Sequence, residues 1–109
     1  APMEEPRLFA RVSVYNIPAA RMEEALDQFR AALAQISERE GFSEAFFFVA
    51  PDDDRATATT LWTSRRALEA SRAEASNLRT KAAHAVEGSV VSAIEYEVGL
   101  HFGGSRRSA

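Results

Sequence analysis

The sequence predicts an α+β fold, in the order β-α-β-β-α-β, with two helices on one face of a four-stranded antiparallel sheet. Three observations predict it. Two segments repeat apolar residues at helical steps, and each lies between segments with strand character. A turn rich in proline and aspartate joins the two middle strands directly. Apolar side chains occupy both faces of the strands, so each face needs a cover.

Residues 8–16 (LFARVSVYN) alternate, with Leu8, Ala10, Val12 and Val14 on one face and Phe9, Arg11, Ser13 and Tyr15 on the other. That period of two is a strand's. Pro18 suits the first turn of a helix, where its missing N–H has no partner to lose. Met22, Leu26, Phe29, Leu33 and Ile36 then recur at three- and four-residue steps and predict a helix over residues 19–38. Gly41 ends it by supplying a left-handed backbone.

Residues 42–50 (FSEAFFFVA) form a strand that is apolar on both faces along 46–49. In residues 51–55 (PDDDR) proline presets its backbone angle and aspartate carboxylates accept bonds from nearby amides, which makes a turn. Residues 56–63 (ATATTLWT), rich in threonine and carrying the only tryptophan, complete a hairpin. Ser64 suits the N-cap of a second helix, whose inward stripe is Leu68, Ala75, Leu78, Ala82 and Ala85 or Val86. Ser76 and Asn77 have poor interior propensity and predict a kink or break there. The helix ends before Gly88, and residues 89–100 (SVVSAIEYEVGL) make a long final strand.

This order is the split β-α-β pattern of the ferredoxin-like fold. It occupies residues 8–100 as one domain, with flexible termini at 1–7 and 101–109. Phe9 and Tyr15 oppose the Val12 face, Phe46 and Phe48 oppose Phe47 and Val49, and Leu61 opposes Trp62. Whichever face the helices cover, the other is too apolar to leave in water. The sheet of an identical subunit is the economical cover, and a homodimer is expected.

Composition narrows the function. With 46% apolar and 27% charged residues, the chain is a folding one. It has no cysteine, which removes disulfides, thiolate-ligated metals and thiol nucleophiles. Only His84 and His101 are available as imidazole ligands, so no metal site is expected. Thirteen basic and 16 acidic residues are interspersed and give a net charge of −3, which offers no field for nucleic acid. No apolar run approaches the roughly 20 residues of a membrane span, and the polar start lacks a signal peptide's apolar core, so no membrane partner and a cytoplasmic location are expected. Phosphate-binding glycine loops, dinucleotide fingerprints and a serine elbow are missing from the sequence. Asp52, Asp53 and Asp54 read as a solvated turn.

Residues 9–18 (FARVSVYNIP), the pair Gly41-Phe42 and residues 61–64 (LWTS) resemble the dimeric α+β barrel superfamily, in particular its antibiotic biosynthesis monooxygenase-like domains. The resemblance covers about residues 8–100. It implies a homodimer with a cavity in each subunit, between sheet and helices, for a small aromatic or hydrophobic ligand. The activity it implies is cofactor-independent oxygenation of polycyclic phenols and quinols, in which an electron-rich substrate anion supplies electrons to dioxygen. Haem binding and degradation is the alternative from another branch, and a non-catalytic dimeric module that binds a hydrophobic metabolite is a third. Trp62 resembles a tryptophan at the cavity of some members. The asparagine that accompanies it stands here as Ala58, and a tyrosine on the following helix as Leu68. The asparagine of the haem-degrading branch corresponds to Ser13, and the second helix here has no tryptophan.

Eight residues are candidates for the site. Trp62 can wall a cavity and stack on an aromatic ligand, or fill the core. His84 can act as a general base or haem ligand, or complement a helix C-terminus. Tyr15 and Tyr96 can orient or deprotonate a phenolic substrate, or pack with a hydroxyl at the rim. Arg79, with Arg72 and Lys81, can steady a substrate anion or a developing superoxide, or face solvent. Asn77 is a candidate substrate-binding residue, or marks a helix break.

Overall fold

A computed structural model describes residues 7–103. Of the flexible termini expected at residues 1–7 and 101–109, residues 1–6 and 104–109 lie outside the described residues. Four strands, β1 (Phe9–Asn16), β2 (Phe42–Ala50), β3 (Arg55–Trp62) and β4 (Ser89–Glu97), form one antiparallel sheet in the order β2-β3-β1-β4. Three helices, α1 (Met22–Ile36), α2 (Arg65–Ala70) and α3 (Arg72–Ala85), complete the fold. α1 packs on α3, with α3 against β4 and α1 against β2. This is the ferredoxin-like α+β layout read from the sequence.

Strand register decides which side chains meet the helices. Phe9 pairs with Trp62, Arg11 with Thr60, Ser13 with Ala58 and Tyr15 with Ala56. All eight are buried, so the Phe9–Tyr15 side of β1 is the helix side. Phe47 joins it from β2 and stacks on Phe29 of α1, with centroids 4.6 Å apart. The other sheet face keeps Phe46 and Phe48 exposed and stacked on each other, with Ile94 and Tyr96 about half exposed across the sheet.

Local chemistry sets the ends of the elements. The first helix starts with a 3-10 turn at Ala19–Arg21, in which the Arg21 amide donates to the Pro18 carbonyl at 2.8 Å, so α1 proper begins at Met22. Gly41 has the expected left-handed backbone, with φ +87°, but it lies in the turn before β2, past the end of α1 at Ile36, and a Cβ there would lie 2.3 Å from the Cβ of Ala67. Its missing side chain lets α2 dock on the start of β2. Ser64 caps α2, accepting a bond from the Ala67 amide at 3.0 Å.

Two expectations are corrected. The second helix breaks at Ser71, whereas Ser76 and Asn77 sit in the continuous α3. The buried Ser71 hydroxyl donates to the Leu68 carbonyl at 2.7 Å, and its amide reaches the Ala67 and Leu68 carbonyls. A serine that bonds its own preceding turn can end a helix more effectively than two polar residues facing out. α3 ends at Ala85, before Gly88 as expected, and the left-handed residue that follows it is Glu87, at φ 59°. Gly88 is needed for space, since a Cβ there would lie 2.6 Å from the Asn16 carbonyl oxygen. β4 stops at Glu97, short of residue 100.

Candidate functional site

The helix side of the sheet holds two apolar clusters. Tyr15, Ile17, Phe29, Ala56 and Val86 belong to one, and Phe9, Ile36, Trp62 and Leu68 form the other. Between them the sheet carries Arg11, Ser13, Ala58 and Thr60, side chains too small or too polar to close the gap. A cavity of about 40 Å³ results. Its sheet wall is these four residues with Tyr15. Phe29, Ala32, Leu33 and Ile36 of α1 and Ala75, Leu78 and Arg79 of α3 line it from above and leave it partly open to solvent. The volume suits a few waters or a diatomic molecule, whereas drug-sized ligands occupy about 300–1,000 Å³.

Arg11 dominates the polar wall. It is 4% exposed although it carries a full charge. Its Nη2 donates to the Leu68 carbonyl at 2.9 Å and to Glu95 Oε2 at 3.0 Å. Arg72 holds the same carboxylate from the other side, through Nε at 3.0 Å and Nη2 at 2.6 Å. These bonds, Arg72's foremost and Arg11's after it, pull the Glu95 carboxyl down to about 2. Burial lowers the Arg11 guanidinium from its usual value, while Glu95 opposes that shift. Arg11 Nη1 is buried and has no hydrogen-bond partner among the described residues.

Burial also raises the Tyr15 phenol above its usual value, against smaller opposing effects from Ser13 and the two arginines Arg79 and Arg11. Tyr15 therefore stays protonated near neutral pH and presents a donor. The Trp62 indole N–H donates to Thr60 Oγ1 at 2.9 Å, so Trp62 stands behind the cavity wall and fixes one of its hydroxyls. Ser13, Tyr15, Thr60, Arg11 and Arg79 make a lining whose charged groups are all cations. Among the described residues no carboxylate or histidine lines it.

The fold brings only part of the expected constellation together. Tyr15 and Arg79 line the cavity. Trp62 is fully buried one residue behind it. His84 is exposed in the last turn of α3, and Asn77 is exposed on the same helix, both off the cavity. Tyr96 pairs with Ala10, on the sheet face opposite the Arg11 side, because the period of two carries it there. Of the other cations considered, Arg72 acts on Glu95 and Lys81 is exposed. Arg11 was missed as a site residue. Its signal was an arginine alternating with Phe9 and Tyr15 along β1, a row whose facing the sequence left open.

Comparison with protein-family models and with curated proteins returns no match. Solved structures do match. MupZ from Pseudomonas fluorescens superposes with a TM-score of 0.68 at 14% identity, over 87% of this chain and 71% of that one. The haem-degrader MhuD from Mycobacterium tuberculosis, solved with two haems in its active site, gives 0.63 at 23% identity over 87% and 99%. SnoaB from Streptomyces nogalater, a cofactor-independent oxygenase, gives 0.57 at 15% identity over 88% and 95%. At such identities likeness speaks for the fold alone, the ferredoxin-like α+β fold, which a putative antibiotic biosynthesis monooxygenase from Nitrosomonas europaea also shares with a TM-score of 0.61 at 10% identity, over 89% of this chain and 91% of that one.

Proposed function

We propose that this chain is a cofactor-independent monooxygenase acting on an aromatic or quinol-type small molecule held between the sheet and the helices. The observation that carries the reading is the cavity's lining: apolar walls from α1 and α3 facing cations and hydroxyls on the sheet. Fixed donors in a partly enclosed site stabilise negative charge as it develops. An electron-rich ring carbon that passes an electron to dioxygen leaves superoxide beside those donors. Recombination forms a carbon–oxygen bond and a hydroperoxide, and loss of water from a CH–OOH carbon leaves a carbonyl. One oxygen atom of dioxygen enters the product and the other leaves as water. SnoaB, a cofactor-independent oxygenase on the same fold, supports the reading. A ring fits only when Leu33 and Leu78, both half-buried over the cavity, move aside.

Haem is the alternative, supported by the fold shared with MhuD. The cavity's donors fit it poorly. The phenol of Tyr15 is the one side chain there with a familiar role as an iron ligand, and burial holds it protonated. His84 lies off the cavity and exposed. No step is derived through haem. A non-catalytic binding module uses the same lining and differs only in leaving its ligand unchanged.

The active unit in this proposal is a homodimer paired through the open sheet face. Phe46, Phe48, Ile94 and Tyr96 are 43–56% exposed there. A two-fold axis lets one such patch cover its own copy.

Aerobic and anaerobic incubation with a panel of hydroquinones and anthrones tests the activity. Oxygen-dependent turnover above the uncatalysed rate is expected. Turnover at the uncatalysed rate across the panel contradicts the proposal.

A further inference from the structure

Arg11 Nη1 stands out as a buried cationic donor with no partner among the described residues, on a residue that lines the cavity. Burying a charged N–H unpaired is costly, and such groups are ordinarily satisfied. Its neighbour Nη2 is fixed by Leu68 and Glu95, so the guanidinium plane is held and Nη1 cannot turn to find another acceptor. Arg11 and Arg72 share the one carboxylate of Glu95, which leaves one net positive charge in the trio. Arg79, which also lines the cavity, adds a second cation, so the site favours an anion over a neutral ligand.

The cavity also lacks a base. Its ionisable groups are Arg11, Arg79 and Tyr15, and Tyr15 is protonated. Glu95, the nearest carboxylate to Arg11, is engaged by two arginines and binds a proton only in strong acid. A phenolic proton therefore has no acceptor inside the site.

Resting on the oxygenase reading for the identity of the site, we propose that Arg11 Nη1 docks a single anionic oxygen, and that the cavity selects phenols and enols already ionised in solution. Arg11 is then the residue that sets specificity, with Tyr15 as a second donor. The apolar side chains of Phe29, Leu33 and Leu78 take the ring that carries the oxygen, which favours an aromatic or conjugated anion over a compact inorganic one.

The test uses 4-nitrophenol, whose ionised form absorbs at longer wavelength than its neutral form, and the neutral isostere 4-nitroanisole. With the wild-type chain, the bound phenol is expected to ionise at lower pH than the free one, with about a tenfold preference for the anion. 4-Nitroanisole should bind at least about tenfold more weakly. Arg11→Gln, with its fold checked by circular dichroism, should erase the preference, and Arg11→Lys should restore part of it. If Arg11→Gln does not fold, the wild-type comparison of the two probes decides alone. Equal affinity for both probes, no binding of either, or a preference that survives in folded Arg11→Gln overturns the inference. So does displacement of the probe by phosphate or benzoate at lower concentration than by unlabelled phenolate. Binding is read without turnover, so the two proposals fail separately. Phenolate preference with no oxygen uptake sinks the oxygenase alone, and oxygen uptake with equal use of neutral and ionised substrates sinks this inference alone.

Discussion

The Arg11 guanidinium on β1 donates to the Leu68 carbonyl at 2.9 Å, beside the point where the second helical segment breaks into α2 and α3. The break and the buried charge are one arrangement. A continuous helix would hold that carbonyl in its own ladder, whereas here it accepts from Arg11 and from the Ser71 hydroxyl and amide.

Ser71→Ala tests that arrangement. It removes one donor from Leu68 at a fully buried position, and a stability loss of about 1 kcal/mol is expected in urea unfolding. Phenolate binding should change little, because Arg11 keeps its own bond to the same carbonyl.

Ser64→Ala removes the cap of α2 and should cost about 1 kcal/mol in the same assay. An unchanged unfolding midpoint would mean that α2 is held by packing alone.

Much of the fold was legible because period and face coincide. The alternation along β1 placed Phe9 and Tyr15 on one side, and the structure shows that side under the helices. The hairpin between β2 and β3 and the left-handed Gly41 followed from turn chemistry. The helix break was misplaced because propensity ranks Asn77 below Ser71, while the deciding bond comes from a buried serine to the preceding turn. The site was less legible. Tyr15 and Arg79 reached the cavity, yet strand parity sends Tyr96 to the far face and helix phase leaves Asn77 and His84 in solvent. Arg11 was hidden by its type, since an arginine on a strand reads as surface until its partners across the sheet are known.

Glu95 gives a pH signature. Its folded-state value near 2 lies below the ordinary 4.5, so its ion pairs stabilise the fold fully above about pH 4.5. That contribution is lost as pH falls from about 4.5 through about 2. Urea midpoints measured across this window should fall more steeply for the wild type than for Glu95→Gln. Parallel curves would show that the carboxylate is not coupled to folding.

Phe48→Glu places a charge on the open sheet face, where the native ring is 56% exposed. The monomer fold should survive, with a change in its stability within about 0.5 kcal/mol. The mass measured by light scattering should drop from dimer to monomer. A dimer that persists would place the pairing surface elsewhere.

Tyr15→Phe removes a buried hydroxyl from the cavity and keeps the ring against Phe29, whose centroid is 4.7 Å away. Turnover of an active anthrone or quinol should fall about tenfold, the effect of one lost hydrogen bond to a charged oxygen, with little change in melting temperature. A drop in stability with unchanged turnover would make Tyr15 a packing residue.

The most direct test of the central claim is a crystal structure with a hydroxyanthraquinone, a product-like ring system. The account predicts the ligand between the sheet and helices α1 and α3, its ionised oxygen within hydrogen-bond distance of Arg11 Nη1, and Leu33 and Leu78 displaced. A ligand seated elsewhere, with the Arg11 cavity closed and unchanged, would contradict it.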